Sequence, residues 1–250
     1  MKLTFDSCTY RYRRWKAPIF RDFNYEVSGG LTILLGPNGA GKSTMLKMAA
    51  SVILPQGGEV SFDGISTARK EYRSTVGWMP QGITPMSTLT AREYVAYIGW
   101  LKGMNRRAAW DKAMHALSRV EMAKMADVKS NQLSGGQLRR VGLAASLAHS
   151  AKLLLLDEPT AGLDPYQRRV FRNILNEVSG ESQILLSTHD VSDLAEEADH
   201  VSVMESGRML YHGETRSFLA HAPAEAPAGR VAEAAYTEVL GASDPFSRKH

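Results

Sequence analysis

Nine consecutive residues, Gly36-Pro37-Asn38-Gly39-Ala40-Gly41-Lys42-Ser43-Thr44, fit the phosphate-cradling pattern G-x-x-x-x-G-K-[ST]. The glycines let the backbone curl so that several N–H groups converge on one anion. A helix opening there adds a partial positive charge. In this pattern Lys42 reaches the β- and γ-phosphates and the Ser43 hydroxyl binds Mg²⁺. Further along, Asp157 and Glu158 follow four leucines, Leu153 to Leu156. Asp157 can hold Mg²⁺ directly or through water, and Glu158 can take a proton from an attacking water. His189 follows another apolar run, Gln183 to Ser187, and could reach a γ-phosphate from there.

The chemistry needs elements to hold it. Leu31 to Leu35 reads as a buried strand before the glycine loop, and Met45 to Ala50 as a helix after it. The continuous Leu153–Leu156 run reads as a second buried strand. Acids at its carboxyl end stand where open α/β sheets bind ligands. Ser134-Gly135-Gly136-Gln137 is another glycine turn, and it opens a helix read here from about Leu138 to His149. Thr90 and Glu93 form a capping box for a helix reaching Lys102, with Tyr94, Val95, Ile98 and Leu101 on one side. Ala108 to Val120 reads as another helix, with Trp110, Met114 and Leu117 at helical spacing. The first 30 residues read as strands. Arg11 to Lys16 is basic and aromatic: a base-stacking site, a nucleic-acid patch, or a solvated hairpin edge guarded by charge, the last being favoured by the segment alone.

The 250 residues suffice for one large domain or two small ones, and the net charge of +4 does not argue for a polyanionic partner. No apolar run approaches the roughly 18–20 residues that span a bilayer, and Met1 to Asp6 has no signal-peptide pattern. The single cysteine, Cys8, excludes an internal disulfide and reads as strand packing.

Taken together, the motifs and their order resemble the ATP-binding subunit of ABC transporters over about the first 215 residues. Gly36–Thr44 matches Walker A, and Gln81 in Trp78-Met79-Pro80-Gln81 matches the Q-loop glutamine. Leu133-Ser134-Gly135-Gly136-Gln137 matches the LSGGQ signature in full, 24 residues before Asp157. Leu153–Asp157 matches Walker B, with Glu158 as the catalytic glutamate. Asp164 lies in the D-loop match and His189 is the switch histidine.

The resemblance implies an α/β fold: a P-loop NTPase core with a mixed sheet, an antiparallel β subdomain and an inserted α-helical subdomain at about 83–140. It implies an ATPase domain over 1–218, with 219–250 as an Ala/Pro linker and short C-terminal helix. It implies ATP and Mg²⁺ as cofactors, with Ser43, Gln81 and Asp157 at the metal. Glu158, His189 and Gln81 are then the catalytic set. Tyr12 is the aromatic expected on adenine, with Tyr10 and Trp15 as alternatives. Two such subunits pack head to tail, so Leu133–Gln137 and Asp164 would serve the facing subunit. The implied partners are a second copy of the ATPase and a permease on a separate chain, at the cytoplasmic face of the membrane, with no nucleic acid. Residues 83–104, Ile83, Met86, Leu89 and Tyr94 among them, would line the groove for the permease. The short tail favours export. The alternative is a soluble ABC-type ATPase acting on ribosomes or nucleic acid.

Overall fold

The computed structural model describes residues 1–191, 198–227 and 229–242. Along the chain, β1 (Lys2–Tyr10), β2 (Phe20–Ser28) and β3 (Leu31–Leu35) lead into α1 (Lys42–Ala49). Then come β4 (Gly57–Phe62), β5 (Ile65–Ser66), α2 (Tyr72–Thr75) and β6 (Val76–Met79). A helical stretch holds α3 (Ala91–Leu101), α4 (Arg106–Arg119) and α5 (Gly135–Leu147). The remainder is β7 (Leu153–Asp157), α6 (Pro165–Ser179), β8 (Gln183–Thr188), β9 (His200–Glu205), β10 (Arg208–Glu214), α7 (Thr215–Leu219) and α8 (Val231–Gly241).

Two sheets form. A six-stranded mixed sheet has the order β10-β9-β3-β8-β7-β6, parallel except for the β9–β10 pair. An antiparallel sheet has the order β2-β1-β4-β5. The leucine runs explain the first. Every residue of β3 and β7 is buried, as strands covered on both faces must be. Alternate residues feed two cores, following the twofold period of a strand. Leu154 and Leu156 face the core under α5 and α6, whereas Leu153 and Leu155 face a core shared with α1 and the antiparallel sheet. Helix α1, with buried Met45, Leu46 and Met48, is therefore held between the two sheets. That packing fixes the glycine loop in front of it.

The helix expectations need small corrections. Helix α1 starts at Lys42, inside the glycine loop, because Gly41 is its cap. Helix α5 starts at Gly135, three residues before the expected Leu138, because Ser134 is its cap and Gln137 closes a capping box. Thr90 and Glu93 form the expected box on α3. Trp110 is not core: it is 42% exposed, and the Arg92 guanidinium lies 4.0 Å over its ring. Leu101 is likewise 56% exposed. Residues 11–16 are a loop rather than a hairpin edge. In the expected linker, Ala226 N–H donates to the Pro223 carbonyl and Arg230 N–H to the Pro227 carbonyl. Beyond them Ala232, Ala235 and Val239 of α8 join the main core. Cys8 is buried as expected, its thiol donating to the Glu59 carbonyl, and burial pushes it up to about 11. Among the described residues, no helix is long and apolar enough to cross a membrane.

Candidate nucleotide site and its detached half

Residues far apart in sequence converge here because three parallel strands end side by side. β3, β7 and β8 are adjacent, so the glycine loop, Asp157–Glu158 and His189 all leave the same sheet edge. A cleft of about 490 Å³ lies there, lined by Tyr12, Ile19, Pro37 through Thr44, Gln81 and Glu158.

The glycine loop is shaped by two steric demands. Gly41 caps α1 at φ 112, a conformation that side chains resist. At Gly36 a Cβ would stand 2.2 Å from the Met204 carbonyl oxygen. Lys42 is buried, and its ammonium donates to the Gly36 carbonyl at 2.5 Å and the Pro37 carbonyl at 3.2 Å. Burial lowers its pKa, opposed by the charges of Glu158 and Asp157.

The acids are held from several sides. Asp157 is buried, and its Oδ1 accepts from Ser43 Oγ at 3.0 Å and Ser187 Oγ at 2.7 Å. The Ser43 hydroxyl and the Asp157 carboxylate are hard oxygen donors side by side, which suits Mg²⁺. Gln81 lines the same cleft. Glu158 is buried with φ +49, and its N–H donates to the Ser187 carbonyl and hydroxyl. Its Oε2 lies 2.7 Å from His189 Nδ1, while the imidazole is largely exposed.

The aromatic alternatives separate. Tyr12 lines the cleft and its hydroxyl pairs with Thr44 Oγ1 at 3.2 Å. Tyr10 is buried in β1, stacked edge-on against Tyr12, and Trp15 stands 79% exposed away from the lining.

The signature residues are elsewhere. None of Leu133–Gln137 lines the cleft. Ser134 and Gly135 are exposed, and the Ser134 hydroxyl closes a capping box by accepting from Gln137 N–H at 3.3 Å. Asp164 is exposed too; its carboxylate caps α6 by accepting from Gln167 N–H at 2.8 Å, a local duty that motif matching does not reveal.

Three residues were not singled out from the sequence. Ile19 lines the cleft. Ser187 ties Asp157 to Glu158, and its only sequence signal is its place just before Thr188-His189. Arg139 donates from Nη1 to the Glu158 carbonyl and from Nη2 to the Gln81 carbonyl at 2.8 Å.

Some of the residues expected to line a permease groove share a cleft. A cleft of about 330 Å³ between α3, α5 and the core is lined by Ile83, Tyr94, Ile98, Trp78 and Lys102, among others. Met86 and Leu89 do not line it, though like Ile83 and Ile98 they pack against the main core.

A glycine loop between a buried parallel strand and a helix, with acids at the next strand ends, defines a P-loop nucleotide-binding protein. The family model described as "ABC transporter" matches residues 20–161. The chain belongs to the ABC transporter ATP-binding family. It is 33% identical over 213 residues to an uncharacterized ABC transporter ATP-binding protein, YxlF, of Bacillus subtilis, spanning 85% of this chain and 70% of that one. It is 31% identical over 222 residues to the ABC transporter ATP-binding protein NatA of the same organism, covering 86% and 90%. In three dimensions it resembles a dimeric, post-hydrolysis structure of the ATP-binding cassette MJ0796 bound to ADP and Pi (TM-score 0.78, 26% identity, 86% and 99% covered).

Proposed function

We propose that this chain is the ATP-hydrolysing motor of a transporter whose membrane-spanning permease is a separate chain, and that it works as a head-to-tail pair around two Mg-ATP. One observation carries this reading. The signature turn exposes Ser134 and Gly135, lies outside the lining of the Walker cleft, and presents the N–H groups of a helix start. A phosphate-receptive end with no phosphate site of its own fits the nucleotide of a second subunit. The dimeric cassette above supports the same arrangement.

Each residue then has a task. Tyr12 stacks on adenine. The loop N–H groups and Lys42 grip the phosphates, and Lys42 exchanges its carbonyl partners for phosphate oxygens. Ser43 and Gln81 would hold Mg²⁺, with Asp157 in its outer shell. The ion, when bound, supplies charge neutralisation across the β- and γ-phosphates. His189 holds one Glu158 oxygen and leaves the other to polarise the water. Water oxygen bonds to the γ-phosphorus, the bond to the β–γ bridging oxygen breaks, ADP departs, and the water's proton passes to Glu158. Ser134 and the N–H groups of Gly135 and Gly136 cap the γ-phosphate held by the facing chain, and Asp164 lies at the same contact. Loss of the γ-phosphate removes that bridge and loosens the pair.

The permease docks in the groove lined by Ile83 and Tyr94, at the cytoplasmic face of the membrane. The decisive experiment is Glu158→Gln. ATP hydrolysis falls at least 100-fold, nucleotide binding persists, and ATP produces a stable dimer by light scattering. Normal hydrolysis by a monomer overturns the reading.

A further inference from the structure

We propose that Arg139 is a positioning residue: it aims the Glu158 of its own chain and links that carboxylate to the signature turn serving the opposite nucleotide. The inference rests on the dimeric ATPase reading above.

The geometry is specific. Arg139 stands in the second turn of α5, five residues after the Ser134 cap. Its guanidinium spans two carbonyls on separate segments, those of Glu158 and Gln81. Two parallel donors from one planar fork are something arginine offers and lysine does not. Burial lowers the guanidinium's pKa and the Glu158 charge opposes it, which leaves a charged donor beside the catalytic acid.

Glu158 needs such support. It is a non-glycine residue at φ +49, outside the backbone region that side chains favour. Its preceding peptide is pinned to Ser187. Its following peptide is held through the carbonyl by Arg139. The carboxylate direction follows from those two peptide planes together with the His189 contact. The Glu158 carbonyl also accepts from Ala161 N–H at 3.3 Å, so removing Arg139 leaves no orphaned carbonyl. The fold should therefore survive the substitution while the aim does not.

The second half of the inference follows from helix rigidity. Ser134 and Arg139 are about 7.5 Å apart along one helix axis at 1.5 Å per residue. When the start of α5 engages the facing γ-phosphate, the Arg139 fork is placed with it. Each chain's glutamate is then set by the nucleotide in the other site.

Arg139→Gln should lower kcat about 10- to 100-fold, as small misplacements of a reacting group do. KM for ATP should stay within about twofold, and the Hill coefficient should fall toward 1. Arg139→Lys, with one donor point, should recover part of kcat. The decisive test uses mixed dimers with one Glu158→Gln subunit. Placing Arg139→Gln in that same chain should leave the remaining site at its full rate, since the affected glutamate is already silent. Placing it in the other chain should lower the remaining turnover by the same 10- to 100-fold. If the same-chain dimer loses activity instead, Arg139 merely holds the signature turn and the proposal fails. Unchanged kcat in Arg139→Gln, or equal rates in Arg139→Gln and Arg139→Lys, would also sink it. Failure of the motor reading is distinguishable, because the Glu158→Gln homodimer would then hydrolyse ATP.

Discussion

The two halves of the candidate site are built in opposite ways. The Walker half is finished within one chain. Lys42, Asp157 and Glu158 are all buried, and each has its hydrogen bonds made before any ligand arrives. The signature half has Ser134 and Gly135 exposed at a helix start, held by the local Ser134–Gln137 capping box. A buried charge must be paired where it stands, whereas an exposed helix start can leave its N–H groups to water until an anion replaces it. The Walker half is therefore a binding site in its own right, and the signature half becomes one only against another molecule.

Lys42→Ala tests the sharpest side of that contrast. Nucleotide binding to the isolated chain should fall by two orders of magnitude or more, measured by titration with a fluorescent ATP analogue, because a cation aimed at the phosphates is lost. Retained affinity would mean that the loop N–H groups suffice. Ser134→Ala should do the reverse. Binding to the monomer should stay within about twofold, while steady-state hydrolysis drops at least tenfold. Equal loss of both would erase the distinction between the halves. Stability should fall by only about 1 kcal/mol, the cost of an N-cap.

A smaller effect concerns how firmly the signature helix is anchored. Just past α5, His149 Nε2 bonds the Val76 carbonyl at 3.0 Å, and Lys102 Nζ donates to the same oxygen at 2.8 Å. Burial, with help from the Lys102 charge, pushes His149 down to about 4. Burial and the nearby Arg73 push Lys102 down to about 8. The folded state thus binds His149's proton less readily than the unfolded chain does. Its contribution is intact above about pH 6.5 and is lost as pH falls toward 4, by at most about 3 kcal/mol. Chemical denaturation across pH 7 to 4 should show a shallower decline for His149→Gln than for the parent. Parallel curves would show that the helix anchor carries no such linkage.

Much of the site was legible because its chemistry is local. The glycine loop, the acids after the leucine run and the signature turn are contiguous motifs, and each lies on the kind of element its pattern implies. Helix starts were misplaced where the cap itself was glycine or serine, since the helix begins on the residue after the cap. Trp110 sits at helical spacing yet stays exposed, because periodicity reports a face but not whether anything covers it; the Arg92 guanidinium lies over its ring. Ser187 and Arg139 were invisible because their partners lie 30 and 19 residues away in sequence and meet them only through strand order and helix packing.

The sequence by itself determined the family, the phosphate loop, the acids and the histidine, because their physics depends on neighbours in the chain. Only the tertiary structure decided which aromatic faces the cleft, which residues aim Glu158, and that the signature turn stands apart from its own chain's nucleotide cleft. Those outcomes follow from which strands lie side by side in a buried sheet and which helix end is left uncovered, and both are set by packing across the whole core.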